Sequence, residues 1–251
     1  IKLMEETHKK FGKLSWEDLF IDPIKIAEEG FIVSPALHNT LQYMRFLKTV
    51  EPAASLYFIK NKINQLEPIK IGSILTNHEF AKTLKRLSKQ GAKDFYAGET
   101  AEAIIEAVNN SENNSEILTI KDFKNYNVIW RDPLCIQYRG RNVCGMPPPA
   151  GNISVMMILK MLESYDVKSF KPTSPEFIHL YSEISALTYS DRNIYLADPD
   201  YIKIPVEGLL DESYLKDRVN IINKDKSIRN PRPGQPAGYE KYSENIDISR
   251  D

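Results

Sequence analysis

The sequence has little of the two residue types that most often build a metal centre or a disulfide scaffold. Its 251 residues include four histidines and two cysteines, and no pair of histidines has the spacing of metal ligands. Two cysteines can form one bridge at most, which excludes a small fold stapled by several disulfides. The sequence therefore predicts neither a metal site nor a cofactor.

The chain also lacks an excess of charge of either sign. Thirty-three Lys and Arg residues against 34 Asp and Glu residues give a formal net charge of −1, so nothing drives it toward nucleic acid or an anionic membrane. No apolar run reaches the length of a bilayer span, and the mean hydropathy is −0.39. Neither nucleic-acid binding nor a membrane span is predicted.

Familiar catalytic motifs are missing as well. The sequence contains no H-E-x-x-H, C-x-x-C, G-x-S-x-G, Walker loop or G-x-G-x-x-G. It is nevertheless 42% hydrophobic and 10% aromatic, which suffices for a folded core. Composition and spacing alone predict an α+β chain and leave its function open.

Helix start and stop signals fill much of the chain. Residues 76–79 match the T-x-x-E capping box, and Gly91 is placed to end the helix that follows. Ser174 before a proline predicts a helix over 175–192, and apolar spacing predicts another over 153–163. The segment is therefore expected to be mainly helical.

A small antiparallel strand region is predicted between residues 127 and 145. The Arg-Gly pair at 139–140 is a hairpin signal, and a two-residue loop there places Cys135 opposite Cys144 in a non-hydrogen-bonded pair. A cross-strand disulfide is then geometrically allowed. Two buried thiols are the alternative, which the sequence alone favours.

The remaining irregular segments have simple structural interpretations. Pro147-Pro148-Pro149 favours polyproline II. Asp191 beside Arg192 suggests an ion pair or a helix-end contact, and 198–200 reads as an Asp-Pro-Asp turn. Residues 1–228 are predicted to form one domain, and residues 229–251 an extended C-terminal tail.

A series of short motifs, in identity, order and spacing, resembles the large subunit of the γ-glutamyltranspeptidases. The resemblance runs from about residue 11 to residue 236. Its motifs are Gly12-Lys13-Leu14, Ile26 to Val33, Leu84 to Gly91, Phe95 to Gly98, Asp122 to Tyr126, Tyr138-Arg139-Gly140, Met146 to Pro149, Tyr189 to Arg192 and Asp198-Pro199-Asp200.

The resemblance implies an N-terminal-nucleophile hydrolase with an αββα sandwich shared between two subunits. In that family a precursor cuts itself ahead of a threonine, which becomes the N-terminal residue of the small subunit. The threonine attacks the γ-glutamyl amide of glutathione or a similar compound, and its own α-amine takes the proton. The γ-glutamyl group then passes to water or to an amino acid or peptide acceptor.

The resemblance assigns no catalytic or substrate-binding residue to this chain. The family's nucleophile lies in a T-T-H or T-S-H context, and neither tripeptide occurs here. We expect the chain, which starts at Ile1, to be an internal piece of a longer precursor and to be silent without its partner. Asp251 is then a candidate for the residue preceding the self-cleavage bond. An arginine that clamps the substrate carboxylate is expected ahead of Ile1.

The motifs nominate structural candidates around the site. They are Pro147, Pro148, Pro149, Gly151, Asp191, Arg192, Asp198 and Pro199. After the three prolines the family commonly has two serines and two glycines, whereas this chain reads Ala-Gly-Asn-Ile over 150–153. The loss of two hydroxyls bears on substrate preference and activity more than on fold.

Two alternatives remain at this point. One is a related amidase of the same catalytic class, acting on another acyl amide or on poly-γ-glutamate. The other is a family-derived interaction module without catalysis. Because the family is generally exported, the resemblance implies a periplasmic, secreted or cell-surface location.

Overall fold

The computed structural model describes residues 1–111 and 117–239. The chain divides into two compact units, Ile1–Ile129 (unit 1) and Trp130–Asp251 (unit 2). Helices dominate the described residues, which also contain three two-stranded antiparallel sheets. This confirms the mainly helical prediction with a small antiparallel component. The division falls inside the span 1–228, whose assignment to one domain stays a prediction.

Helices of unit 1 alternate with short strands. The helices are α1 (Lys2–Phe11), α2 (Ile21–Glu29), α3 (Pro35–Tyr43), α4 (Ala53–Tyr57), α5 (His78–Gln90), α6 (Ala92–Ala97), α7 (Glu99–Asn109) and α8 (Ile120–Asn125), with 3-10 turns at Glu17–Phe20 and Arg45–Thr49. The strands are β1 (Phe31–Ile32), β2 (Phe58–Lys60), β3 (Leu66–Pro68) and β4 (Ile74–Leu75). β1 pairs with β4, and β2 with β3.

Helix α5 shows how the local signals act. Its N-cap is Asn77, whose side-chain oxygen accepts a hydrogen bond from the Phe80 N–H at 2.9 Å. The predicted capping box at Thr76 and Glu79 was therefore wrong: the helix starts one residue later, where Asn77 is the better cap and Phe80 takes the N3 position. Gly91 ends the helix with φ of 63°, as predicted. The buried face of α5 carries Leu84 and Leu87.

Unit 2 consists of a hairpin followed by helices. The hairpin strands are β5 (Leu134–Tyr138) and β6 (Arg141–Gly145); the helices are α9 (Asn152–Leu162), α10 (Pro175–Tyr195), α11 (Val206–Leu209) and α12 (Glu212–Asn220), with a 3-10 turn at Val167–Ser169. Ser174 caps α10, accepting from the Phe177 N–H at 3.3 Å. Ile153 and Met157 of α9 are fully buried in a cluster with Ile184 of α10.

The hairpin confirms the predicted register and corrects the preferred state of the cysteines. Arg139 and Gly140 both have positive φ, as a two-residue loop of this type requires, and Cys135 lies opposite Cys144. The two cysteines form a disulfide with a Cα–Cα distance of 4.1 Å, so the two-thiol interpretation was wrong. Both lie on the exposed face of the hairpin rather than in the core.

The predicted strand region was too long at its start. Residues 127–133 have neither helix nor strand, and pairing begins at Leu134. Alternation around Trp130 suggested a strand, but Pro133 has no N–H to donate to a ladder.

Candidate functional site

A cleft in unit 2 brings together two of the motif segments on which the resemblance rests. Pro147 and Pro148 form one wall, and Pro199, Asp200 and the residues up to Ile204 form the other, around a cavity of about 540 Å³. These segments are separated by some fifty residues of sequence, including the whole of α9 and α10. The fold thus places the triple proline and the Asp-Pro-Asp turn at one location.

The triple proline forms a turn, not the polyproline II segment that its composition favours. Ala150 donates its N–H to the Pro147 carbonyl at 3.1 Å, and the Pro148–Pro149 bond is cis. The turn leads directly into α9. Pro149 is exposed at its tip, while Pro148 is buried.

The residues after the prolines, where the sequence departs from the family pattern, connect the turn to the core. Gly151 precedes α9 with φ of −76°, so it does not use the left-handed conformation that glycine permits. Asn152 donates its side-chain N–H to the Met146 carbonyl at 3.4 Å. Ile153 is fully buried in the core of unit 2. An apolar anchor therefore occupies a position where the resemblance leads us to expect serine or glycine.

The opposite wall is ordered by its own aspartate. Asp198 accepts from the Asp200 N–H at 3.0 Å through its side chain, which forms the turn predicted around Pro199. Asp200 in turn accepts from the Arg131 guanidinium at 3.0 Å across the rim of the cleft. The cleft thus combines proline walls with a half-exposed ion pair.

Asp191 is the most deeply buried of the nominated residues, and its partner was predicted incorrectly. It pairs with Arg218 of α12, with Nη2 3.1 Å from Oδ1 and Nε donating to Oδ2 at 3.2 Å. The neighbouring Arg192 points elsewhere, over the Tyr189 ring at 5.7 Å. Adjacent helical residues point in different directions, so Asp191 and Arg192 cannot share the contact that adjacency suggested.

Arg218 and Asp191 together hold the irregular run 230–236. Arg218 donates to the Arg232 carbonyl at 2.8 Å, and the Gly234 N–H donates to Asp191 Oδ1 at 2.7 Å. The Tyr195 hydroxyl donates to the Gly234 carbonyl at 2.7 Å. The run has no helix or strand, as predicted, but it lies docked on α10 and α12.

Burial dominates the electrostatics of this cluster. It raises the pKa of Asp191, although the Gly234 N–H and the Arg218 guanidinium oppose that shift. Burial, reinforced by the Asp191 charge, also raises the pKa values of Tyr195 and Tyr214. Both tyrosines therefore stay neutral.

Sequence reasoning missed Arg218, Tyr195 and Gly234. A signal for Arg218 did exist, because it lies three residues after Leu215, a core residue on the same face of α12. A basic residue on a buried helical face needs a buried acid as partner. No comparable signal marked Gly234, which acts through its backbone.

Among the described residues, neither cluster matches the threonine-centred machinery that the resemblance implies. The described residues lining the cleft include no Ser, Thr, Cys or His, and Asp191 is already engaged by Arg218.

Over residues 1–111 and 117–239, no group of three or more His, Cys, Asp or Glu side chains could hold a metal ion. Within those same residues, no helix is long and apolar enough to cross a membrane. The geometry suits a supporting surface and a chain anchor. Asp251, the candidate cleavage residue, lies outside the described residues.

Comparisons with known proteins agree with the motif series. A family model described as Gamma-glutamyltranspeptidase matches residues 1–250. The glutathione hydrolase proenzyme of Bacillus subtilis (strain 168) is 31% identical over 246 residues, covering 98% of this chain and 40% of that protein. The corresponding proenzyme of Escherichia coli (strain K12) is 32% identical, covering 92% and 39%.

The fold comparison points the same way. The crystal structure of Helicobacter pylori gamma-glutamyltranspeptidase superposes with a TM-score of 0.81 at 29% identity, covering 98% of this chain and 68% of that one. The chain spans about two fifths of the length of the curated relatives it matches.

Proposed function

The chain belongs to the gamma-glutamyltranspeptidase family, and from this we propose that it is the large-subunit portion of a γ-glutamyltransferase that also hydrolyses glutathione. The enzyme cleaves γ-glutamyl amides and transfers the γ-glutamyl group to water, amino acids or peptides. The observation that carries the proposal is the family match over residues 1–250, together with the cleft that unites the 146–149 and 198–200 motifs.

The nucleophile in this proposal belongs to a small subunit that begins with threonine. Maturation adds one water across the peptide bond ahead of that threonine: the carbonyl carbon becomes a carboxylate, and the nitrogen becomes a free α-amine. The threonine hydroxyl oxygen then attacks the γ-glutamyl carbonyl, and the α-amine takes the proton of that hydroxyl. The amine side of the γ-glutamyl amide takes up a proton and leaves, and the γ-glutamyl group stays on the threonine as an ester. Water or the acceptor amine then attacks this ester and frees the threonine.

The role of this chain is to scaffold that centre. We place its helices on the outside of an αββα sandwich that is completed by the small subunit, an arrangement supported by its helical content and its fold relatives. The described residues that line the proline-walled cleft include no Ser, Thr or Cys, so the hydroxyl nucleophile of the family has no counterpart there, which supports a positioning role. The chain by itself is expected to be inactive.

We also propose that the enzyme works outside the cytoplasm. The support is the exposed Cys135–Cys144 disulfide, since disulfides persist in oxidising compartments and are rare where glutathione keeps thiols reduced. Cell fractionation with alkylation of free thiols tests this. Recovery of the native protein from the cytoplasm with both thiols free would contradict it.

The decisive experiment uses the protein together with the small subunit. We expect γ-glutamyl-p-nitroanilide to release p-nitroaniline, faster with glycylglycine as acceptor, and N-terminal sequencing to find threonine on the second chain. Activity on another acyl amide or on poly-γ-glutamate, without γ-glutamyl-p-nitroanilide cleavage, would favour the related amidase. A complex without turnover on any of these would favour the non-catalytic module.

A further inference from the structure

Several side chains of α10 and α12 hold the backbone of the irregular run 230–238. Its backbone is bound at Arg232 by two side chains, Arg218 at 2.8 Å and Ser190 at 3.1 Å. At Gly234 both backbone groups are used, the N–H by Asp191 and the carbonyl by Tyr195. Pro236 is fully buried just beyond. These contacts fix the register of the run residue by residue.

The register also depends on a glycine at position 234, because the space there excludes any side chain. A Cβ at Gly234 would lie 2.9 Å from Tyr214 Cε2 and 3.0 Å from Arg218 Cδ, so no larger residue fits between those side chains without displacing them. Further along, the Ala237 backbone lies directly against Gly208 of α11, where a side chain would again collide. A slip by one residue would put Pro233 or Gln235 in the place of Gly234, where a side chain collides with Tyr214 and Arg218. The path of the run up to Tyr239 is therefore set.

The charges used for this anchor are costly to bury. The Asp191 and Arg218 side chains are 0% and 5% exposed. Such pairs contribute little net stability against an apolar replacement, and their best-attested benefit is to specify one arrangement among several. Here the arrangement that they specify is the path of residues 230–236, since both partners bind its backbone.

We propose that the Asp191–Arg218 pair, with Tyr195, is a positioning device for self-cleavage of the precursor. It fixes the register of the run 230–238, and by holding this part of the chain it narrows the range of positions that the downstream peptide bond can take relative to its attacking threonine. The inference rests on the proposed function, which supplies the self-cleavage reaction. An intramolecular attack depends steeply on placement, and a displacement of about 1 Å can cost about a hundredfold in rate. Asp191, Arg218 and Tyr195 touch no reacting atom in this mechanism.

The test compares Asp191→Asn with Asp94→Asn in the precursor that contains this chain and its downstream threonine. Asp94 is the matched control because it is also buried beside an arginine, Arg86, but belongs to the other compact unit. The half-time of cleavage is followed by gel and mass spectrometry, normalised to the folded fraction from circular dichroism. We expect cleavage to slow about tenfold or more for Asp191→Asn and less than about twofold for Asp94→Asn.

Two additional readouts separate positioning from general damage. Trypsin cuts after Arg229, and its rate should rise in Asp191→Asn but not in Asp94→Asn, because the run is released. The fraction of Asp191→Asn that does mature should keep kcat for γ-glutamyl-p-nitroanilide within about twofold, since the anchor acts on maturation. Tyr195→Phe removes one contact to Gly234 and should slow cleavage by a smaller factor, which keeps the test available if Asp191→Asn does not fold.

The outcomes distinguish this inference from the proposed function. If the wild-type precursor cleaves and both aspartate variants slow equally, or Asp191→Asn and Tyr195→Phe cleave at the wild-type rate, the positioning role is wrong and the enzyme assignment stands. If the wild-type precursor never cleaves and has no γ-glutamyl activity, both are overturned.

Discussion

Each unit buries an aspartate against an arginine, but the two networks are built over different distances along the chain. In unit 1, Asp94 lies 3.3 Å from Arg86 and accepts from Thr100, all within fifteen residues on α5 to α7. In unit 2, Asp191 reaches Arg218 and Gly234, 27 and 43 residues away. The same chemistry therefore packs neighbouring helices in one unit and anchors a distant irregular run in the other.

The two arginines also differ in their access to water. Arg86 is 24% exposed and keeps a second acid, Glu99, at 3.3 Å. Arg218 is 5% exposed, and Asp191 is the acid that it contacts among the described residues. The network in unit 2 is consequently the more vulnerable of the two.

Asp191→Ala should therefore be the most damaging single change. Removing one partner of a buried pair leaves the other charge uncompensated, so we expect a loss of about 3–5 kcal/mol in the free energy of unfolding. For Asp94→Ala we expect about 2 kcal/mol, because Arg86 retains Glu99 and water. Chemical denaturation gives the totals, and hydrogen exchange assigns them to peptides around 187–195 and 86–100. Equal losses would mean that exposure of the arginine does not decide the cost.

The hairpins offer the next comparison, because β5–β6 is cross-linked and β2–β3 is not. The disulfide closes a loop with a sequence separation of nine, and its removal should cost about 2–3 kcal/mol. Cys135→Ser/Cys144→Ser should raise hydrogen exchange in residues 134–145 and leave residues 58–68 unchanged. Dithiothreitol should reproduce the effect on the wild type and do nothing to the double variant. A wild type indifferent to reduction would contradict the expectation.

Two glycines of unit 2 allow a comparison of how much room the anchored run and the turn before α9 leave for a side chain. Gly234→Ala places a methyl group against Tyr214 and Arg218, and this overpacking should cost about 1–2 kcal/mol. Gly151→Ala meets nothing within 4 Å and has an ordinary φ, so its effect should stay within about 0.5 kcal/mol. Thermal unfolding of the two variants, side by side, measures both. A neutral Gly234→Ala would show that the run yields easily.

The contrast between units also explains what the sequence could predict. Local signals were reliable: Ser174 capped α10, Gly91 ended α5, and the Arg139–Gly140 loop set the hairpin register. These depend on contacts within a few residues of the chain. The pairing of Asp191 depended on a residue in another helix, and adjacency to Arg192 gave the wrong partner.

The candidate site was predictable only in its parts. The motif series named Pro147, Pro148 and Pro199 without indicating that they line one cleft, since their meeting depends on the packing of α9 against α10. The cysteine state was misjudged for a related reason. Opposite positions were derived correctly, but the face on which both side chains lie, exposed rather than buried, was set by the packing of the hairpin in unit 2.

The smallest expected effect concerns two carboxylates that bind backbone N–H groups, one in each unit. Glu5 accepts from the Ala92 N–H at 2.9 Å and Glu163 from the Arg139 N–H at 2.8 Å. Burial raises the pKa of both, but the hydrogen bonds and the neighbouring lysines, Lys9 and Lys160, outweigh it and hold each pKa below the ordinary value of 4.5. A lowered folded-state pKa adds stability above 4.5 that is lost as the pH falls through the folded value.

With glutamine at either position, the free energy of unfolding should therefore fall less steeply as the pH is lowered (the acid limb of the curve). Its dependence on pH near neutrality should change little. The amide oxygen still accepts from the backbone N–H, so only the charge-dependent part is lost. Solvent screening limits it to about 0.5 kcal/mol for Glu163→Gln, whose carboxylate is 28% exposed, and slightly more for Glu5→Gln at 20%. Glu212→Gln, at a side chain that is 73% exposed with a lysine 3.5 Å away, is the control for removal of one negative charge without a backbone hydrogen bond. Urea titrations from pH 3 to 7 measure the difference. An acid limb as steep in Glu163→Gln as in wild type would show that the hydrogen bond to Arg139 does not depend on the charge.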